Sequence, residues 1–275
     1  MKVGVCVNHK PDKDIEKSFA KIVENGFCEC QLISWDPTLW TDEEAEKIKA
    51  AVEKYNIKIT AFWCGWEGPC VWDFYDGQET LGLVPISYRN MRIKNLCDGA
   101  DFAKKLGVTD VVTHMGFIPE NPYDPNYHGF IVSIRTVAEH LKKNEQYLLF
   151  ETGQETPVAM LRAFEDVGTD NLGINFDTGN VILYGKANPV DAIDVVGKYI
   201  RNIHAKDGLY PTNGHDLGQE VKLGTGKANF PEFLRKLHSI GYDGPVTIER
   251  EISGEKQLED ILYAKNLIED VIKTF

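Results

Sequence analysis

Long apolar runs are missing from this sequence. No stretch approaches the roughly 20 residues that a membrane-spanning helix needs. The opening MKVGVCV reads as a short strand and lacks the charged region and long apolar core of a secretion signal. Positive charge is in deficit as well: 30 lysines and arginines face 42 aspartates and glutamates, for a net charge of −12. Phosphate backbones demand local positive potential, so this balance argues against nucleic acid as a partner. Cysteines are few, and their spacing forms no CxxC pair or zinc knuckle: Cys6, Cys28, Cys30, Cys64, Cys70 and Cys97. Cys28 and Cys30 are two apart and are expected on one strand face. The pattern suits free thiols in a reducing compartment. These absences point to a soluble, cytoplasmic protein with no membrane or nucleic-acid partner.

What is present is alternation. The 275 residues are 43% hydrophobic, enough for a large core. Short apolar runs, VGVCV (3–7), CECQLIS (28–34), IKITAFW (57–63), DVVTHMG (110–116), YLLFE (147–151), LGINFD (172–177), IRNIHAKD (200–207) and GPVTIER (244–250), are each followed by an amphipathic segment. Thr41 and Glu44 resemble a capping box at the start of the second such segment. Gly107 is placed to stop the helix before the fourth strand. Eight strand–helix units require parallel strands with crossover helices. An open doubly wound sheet usually carries a Gly-rich phosphate turn after its first strand, but here that turn reads VNHKPDKD. The expectation is therefore an α/β fold, a (β/α)₈ TIM barrel, as a single domain over residues 1–275.

In such a barrel the C-terminal strand ends line one mouth, where active sites sit. The fifth to eighth strands are expected to end on Glu151, Asp177, His204 and Glu249. Two glutamates, an aspartate and a histidine aimed at one point suit a divalent cation such as Mn²⁺, Mg²⁺, Co²⁺ or Zn²⁺. Taken singly, each would pass for a solvated charge or a helix cap.

The blocks LLFETG, INFDTGN, NIHAKDG, LGTGKANF and PVTIE resemble those of the xylose isomerase-like barrel superfamily, most closely its sugar isomerase and epimerase branch, which includes ketose 3-epimerases. The resemblance covers the whole chain in architecture and residues 147–250 in motif. It implies one bound divalent metal, manganese foremost. In the epimerases the two metal-ligating glutamates also form the acid/base pair, which by position would be Glu151 and Glu249. DNA-repair members of the superfamily use three zinc ions and more histidines. Here the third strand ends Trp63-Cys64, Asn180 stands where a further histidine is expected, and the pair after the seventh strand is His215-Asp216 rather than Asp-x-His, so that activity is not expected.

The resulting expectation is an isomerase of the sugar epimerase or aldose–ketose isomerase type. The substrate carbonyl is polarised, one carboxylate removes the adjacent proton, and the other returns it to the enediolate. A lyase or hydrolase acting on a 3-keto-glycoside through the same chemistry stays open, as does a non-catalytic sugar-binding barrel. Candidate substrate contacts are His9, Trp35, Trp63, Trp66, His114, Asn180 and Lys206. His9, His114 and Lys206 also admit bland readings as satisfied or salt-bridged buried groups. The aromatic loop 62–77 is suited to the apolar faces of a sugar. The loop holding Gly224 and Gly226 is at most a weak phosphate cradle. The partner is a small sugar, and association with a second copy is left open.

Overall fold

The computed structural model describes residues 1–275. In chain order the elements are β1 (Lys2–His9), α1 (Ile15–Glu24), β2 (Glu29–Ser34), α2 (Asp42–Tyr55), β3 (Lys58–Cys64), α3 (Gly77–Thr80), α4 (Arg89–Lys105), β4 (Asp110–Thr113), α5 (Pro125–Lys143), β5 (Tyr147–Glu151), α6 (Pro157–Val167), β6 (Leu172–Asp177), α7 (Asn180–Leu183), α8 (Pro189–Val196), β7 (Ile200–Ala205), β8 (Asp207–Leu209), β9 (Gln219–Val221), α9 (Phe230–Ser239), β10 (Pro245–Ile248) and α10 (Glu255–Ile272). Eight strands close in the order β1-β10-β7-β6-β5-β4-β3-β2, and the pairings around the ring are parallel. The fold is the expected TIM barrel. No helix is long and apolar enough to cross a membrane.

Strand composition explains the closure. A parallel strand covered by helices outside and by barrel filling inside is buried on both faces, so apolar and small residues run continuously along it. In β6 all six residues are buried. The helices start where side chains can accept the free N–H groups of a first turn. Asp14 accepts from Glu16 and Lys17 at 3.0 and 3.2 Å, a cap worth about 1 kcal/mol. Pro125, Pro157 and Pro189 open α5, α6 and α8, where a missing N–H costs nothing. Gly107 ends the α4 segment at φ +73°, as its position suggested.

Three details depart from expectation. The capping box at Thr41 is half formed: the Thr41 hydroxyl accepts from Glu44 N at 3.2 Å, but the Glu44 carboxylate lies 3.2 Å from His9 Nε2. The long loop after β7 contains an antiparallel hairpin, with Asp207 opposite Val221 and Leu209 opposite Gln219. Its strands are only three residues long, too short for periodicity to reveal them. Cys28 is exposed just before β2, whereas Cys30 is buried within it.

Candidate active site at the C-terminal mouth of the barrel

β5 and β6 end on Glu151 and Asp177, β7 carries His204 as its penultimate residue, and Glu249 follows β10 directly. Barrel order makes these four strands neighbours, and the side chains converge. His204 Nδ1 lies 2.8 Å from Glu151 Oε1, 3.4 Å from Glu249 Oε2 and 3.7 Å from Asp177 Oδ2. One ligand atom from each of the four falls within 4.8 Å of the others. Glu151 and Glu249 of the cluster line a 670 Å³ cavity, with Asp177 and His204 buried beside them; the volume is within the usual range for small-molecule sites.

The supporting bonds fix which atoms face the centre. Asn180 N donates to Asp177 Oδ1 at 2.7 Å, whereas Asp177 Oδ2 is buried with no hydrogen-bond partner. His204 Nε2 donates to Gln31 Oε1 at 2.6 Å, and Gln31 Nε2 donates to Asn175 Oδ1 at 3.1 Å. That chain turns Nδ1 toward the carboxylates. The Trp63 indole N–H donates to Glu151 Oε2. Gly179 is required sterically, because a Cβ there would meet Lys206 Cγ at 2.5 Å.

Electrostatics mark the cluster as short of positive charge. Burial pushes the Asp177 carboxyl up to about 7, despite Lys206 and His204. Burial also acts against charge on Glu249, but Lys206 and His204 outweigh it and hold this carboxyl well below the usual range. Glu151 is lowered too, as His204 and His114 overcome burial. Burial opposes a charge on His204, yet Glu151 and Glu249 raise it well above an ordinary histidine. The residues fit a divalent cation. Three carboxylates and an imidazole form a hard-to-borderline donor set, and the orphaned Asp177 Oδ2 needs a positive partner. Cys6, 3.8 Å from His204 Nε2, is pushed up to about 11 by burial. Burial thus keeps it a neutral thiol unless a cation engages it, and with His204 and Glu249 it offers a ligand atom at the edge of the cluster.

Most expected contact residues reach this cavity. Trp35, Trp63, His114, Asn180 and Lys206 line it. His114 Nε2 is 3.6 Å from Glu151 Oε2, and burial lowers its pKa, leaving it neutral. Lys206 bonds Glu249 Oε2 at 3.0 Å and also Glu251. Burial works against the lysine charge, but Glu249, Glu251, Asp177 and Glu220 raise it well above the usual value. Trp35 and Trp63 rings lie 4.6 Å apart, and Trp72 meets Trp35 edge-on at 6.3 Å.

Two expectations are corrected. His9 belongs to β1 and alternates away from the cavity, which Cys6 and Asn8 line from the same strand. Its nitrogens are taken by Ser34 Oγ at 3.0 Å and Glu44, and its ring stacks on Phe102. Trp66 is buried behind Trp35, with the Arg92 guanidinium 5.1 Å from its ring, and does not line the cavity. The Gly224–Gly226 loop is no open phosphate cradle either. The N–H groups of Gly224, Gly226 and Ala228 all donate to the Asp207 carboxylate at 2.9 Å.

Gln31, Gln154, Tyr184, Glu220 and Glu251 were not anticipated as site residues, whereas Trp72 belongs to the aromatic loop already singled out. Two carried a readable signal. Gln31 is a lone uncharged polar residue inside a strand run, and Glu251 follows Glu249 by two. Gln154 and Tyr184 lie in connections whose path only the fold determines.

A family model described as xylose isomerase-like TIM barrel matches residues 19–268. The crystal structure of a xylose isomerase domain protein from Planctomyces limnophilus superposes with a TM-score of 0.91 at 33% identity, covering 99% of this chain and 98% of that one. An uncharacterized protein of Methanocaldococcus jannaschii is 31% identical over 99% of this chain and 90% of its own length. A probable L-ribulose-5-phosphate 3-epimerase of Mycoplasma pneumoniae is 29% identical over 54% of this chain and 48% of its own length.

Proposed function

Because the chain belongs to the xylose isomerase-like TIM barrel family, we propose that it is a divalent-metal-dependent epimerase or isomerase of a keto-sugar, with Glu151 and Glu249 as its proton carriers. The observation that carries this reading is the convergence of Glu151, Asp177, His204 and Glu249 within 4.8 Å beneath a tryptophan-walled cavity. The partial likeness to a probable sugar-phosphate 3-epimerase supports the reaction class.

The four residues would hold the ion, and manganese is the first candidate to load. When bound, it supplies Lewis-acid polarisation of a substrate carbonyl and its neighbouring hydroxyl, which acidifies the intervening C–H. Glu151 and Glu249 come from strands separated by β6 and β7, so their carboxylates approach the centre from different sides. Their neighbours favour the ionised form of each, so one serves as base and takes the proton from carbon; the other first takes up a proton from solvent and then delivers it to the opposite face, inverting that carbon. Delivery to the neighbouring carbon would instead interconvert ketose and aldose. Trp63 orients Glu151 and Lys206 orients Glu249 through the bonds described above. Trp35, Trp63 and Trp72 provide an apolar surface that excludes water around the developing charge.

The test is elemental analysis after manganese loading, followed by incubation with ketoses in D₂O. The expected result is about one ion per chain and deuterium at the carbon next to the carbonyl, with exchange lost in Glu151→Gln. Turnover surviving exhaustive chelation would overturn the proposal.

A further inference from the structure

Five polar atoms of cavity-lining side chains lack a hydrogen-bond partner, four of them on Gln154, Tyr184 and His114 and the fifth, Nη1, on Arg250. Gln154 is 1% exposed, and neither its Nε2 nor its Oε1 makes a hydrogen bond. Tyr184 Oη and His114 Nδ1 likewise meet no partner at good hydrogen-bond geometry, in residues only 5% exposed, although Tyr184 and Gln154 are near enough to influence each other. All three residues line the 670 Å³ cavity together with Asn180. Unpaired buried polar atoms are costly, and such a concentration in one wall calls for a ligand to satisfy it. An amide, a phenol and an imidazole offer donors and acceptors together, which is what alcohol groups require.

Provision for a phosphate is lacking on the same surface. Dianion sites are built from free cations, bidentate arginine or open N–H nests. The cavity has two lining cations, Lys206 and Arg250. Lys206 is surrounded by Glu249, Glu251 and Asp177. Arg250 Nη1 lies 2.9 Å from Glu220 without an aligned hydrogen bond, and its Nε donates to Asp260 at 3.0 Å, so both of its charged neighbours are carboxylates. Four carboxylates, Glu151, Glu220, Glu249 and Glu251, face the same space. The nearby Gly-rich nest is filled from within by Asp207, and a Cβ at Gly226 would meet that carboxylate at 2.3 Å.

Resting on the epimerase reading above, we infer that the substrate is an uncharged, unphosphorylated keto-sugar whose distal hydroxyls are bound by Gln154, Tyr184 and His114 and whose apolar face lies on Trp35 and Trp72. The polar wall selects hydroxyls, and the carboxylate surplus rejects a phosphate ester.

The experiment uses manganese-loaded full-length protein. D-Fructose, D-tagatose and L-ribulose are each compared with D-fructose 6-phosphate, D-tagatose 6-phosphate and L-ribulose 5-phosphate. Deuterium uptake and calorimetric binding are both measured. The expected result is at least a tenfold higher kcat/KM for an unphosphorylated sugar than for its ester. Tyr184→Phe and Gln154→Leu should each raise KM about five- to tenfold, as loss of one or two hydrogen bonds does, with metal content and circular dichroism unchanged. A phosphate ester used or bound as well as, or better than, the free sugar overturns this inference and leaves the epimerase reading standing. An unchanged KM in both variants overturns the assignment of the polar wall. Neither exchange nor binding with any of the six sugars overturns both readings together.

Discussion

The two ends of the barrel both bury charge, but they do so in opposite ways. At the N-terminal end Asp110 accepts from Arg201 Nε and Nη2 at 3.1 and 3.0 Å and from Asn202 Nδ2 at 2.8 Å, and Arg201 lies 3.6 Å above the Tyr147 ring. One acid meets one base, and both Asp110 oxygens are used. At the C-terminal end three carboxylates crowd one histidine, Asp177 Oδ2 has no hydrogen bond, and a wall of neutral groups is left unpaired. Each end also has a sizeable hollow, 540 Å³ below and 670 Å³ above, so volume alone does not separate them. The difference lies in whether the charges are complete. A satisfied pair holds a fold together, whereas a cluster of like charges costs stability unless something outside the chain completes it.

Substitutions at the two ends should therefore trade activity against stability. The largest effect is expected from Glu249→Gln, which removes a proton carrier. Turnover of a ketose in a steady-state assay should fall roughly 10²–10⁴-fold, a larger effect than the drop in the urea midpoint left by losing the contacts with Lys206 and His204. Equal losses of turnover and stability would erase the contrast between the ends.

A second effect comes from Glu155, buried after β5 at the upper end. Burial pushes this carboxyl up to about 8 from an ordinary 4.5. The folded chain thus keeps a proton that the unfolded chain releases near 4.5. Its contribution to stability is whole below that pH and is lost as pH climbs through 8, a difference of roughly 3–5 kcal/mol. Urea unfolding from pH 5 to 9 should show the wild type weakening relative to Glu155→Gln. Parallel curves would place the Glu155 pKa near its ordinary value.

Asp110→Ala at the lower end should cost about 2 kcal/mol of stability, because it strands the Asn202 amide and a guanidinium that is one-third exposed. Turnover should stay within about twofold; a collapse would mean that the lower pair also serves the reaction. The smallest effect is expected from Gln31→Leu. Without its acceptor, His204 is no longer held with Nδ1 toward the carboxylates, and manganese affinity by competitive chelator titration should weaken by about tenfold. Gln31→Glu keeps the acceptor and should restore most of the loss.

The metal candidates were legible because each ends, or lies within two residues of the end of, a strong apolar run, and barrel geometry sends all such ends to one mouth. The same logic failed for His9, where one position of strand alternation decides between cavity and helix layer. It failed for Trp66, because an aromatic-rich loop does not reveal which ring faces inward. The Gly224–Gly226 loop looked open in sequence, because nothing local identified Asp207, at least 17 positions earlier, as the acceptor for its N–H groups.

Alternation of short buried strands with capped helices determined a parallel sheet covered on both faces, and eight such units without a Gly-rich first turn pointed to closure rather than an open sheet. The order of chemical side chains at its strand ends determined where the candidate centre lies. Tertiary structure alone decided which atoms are satisfied. The Gln31 and Trp63 bonds to the cluster, the Asp207 plug and the unpaired Gln154–Tyr184–His114 wall join residues far apart in the chain. Their hydrogen bonds depend on distances of a few tenths of an ångström, which residue order does not encode locally and which the packed barrel fixes.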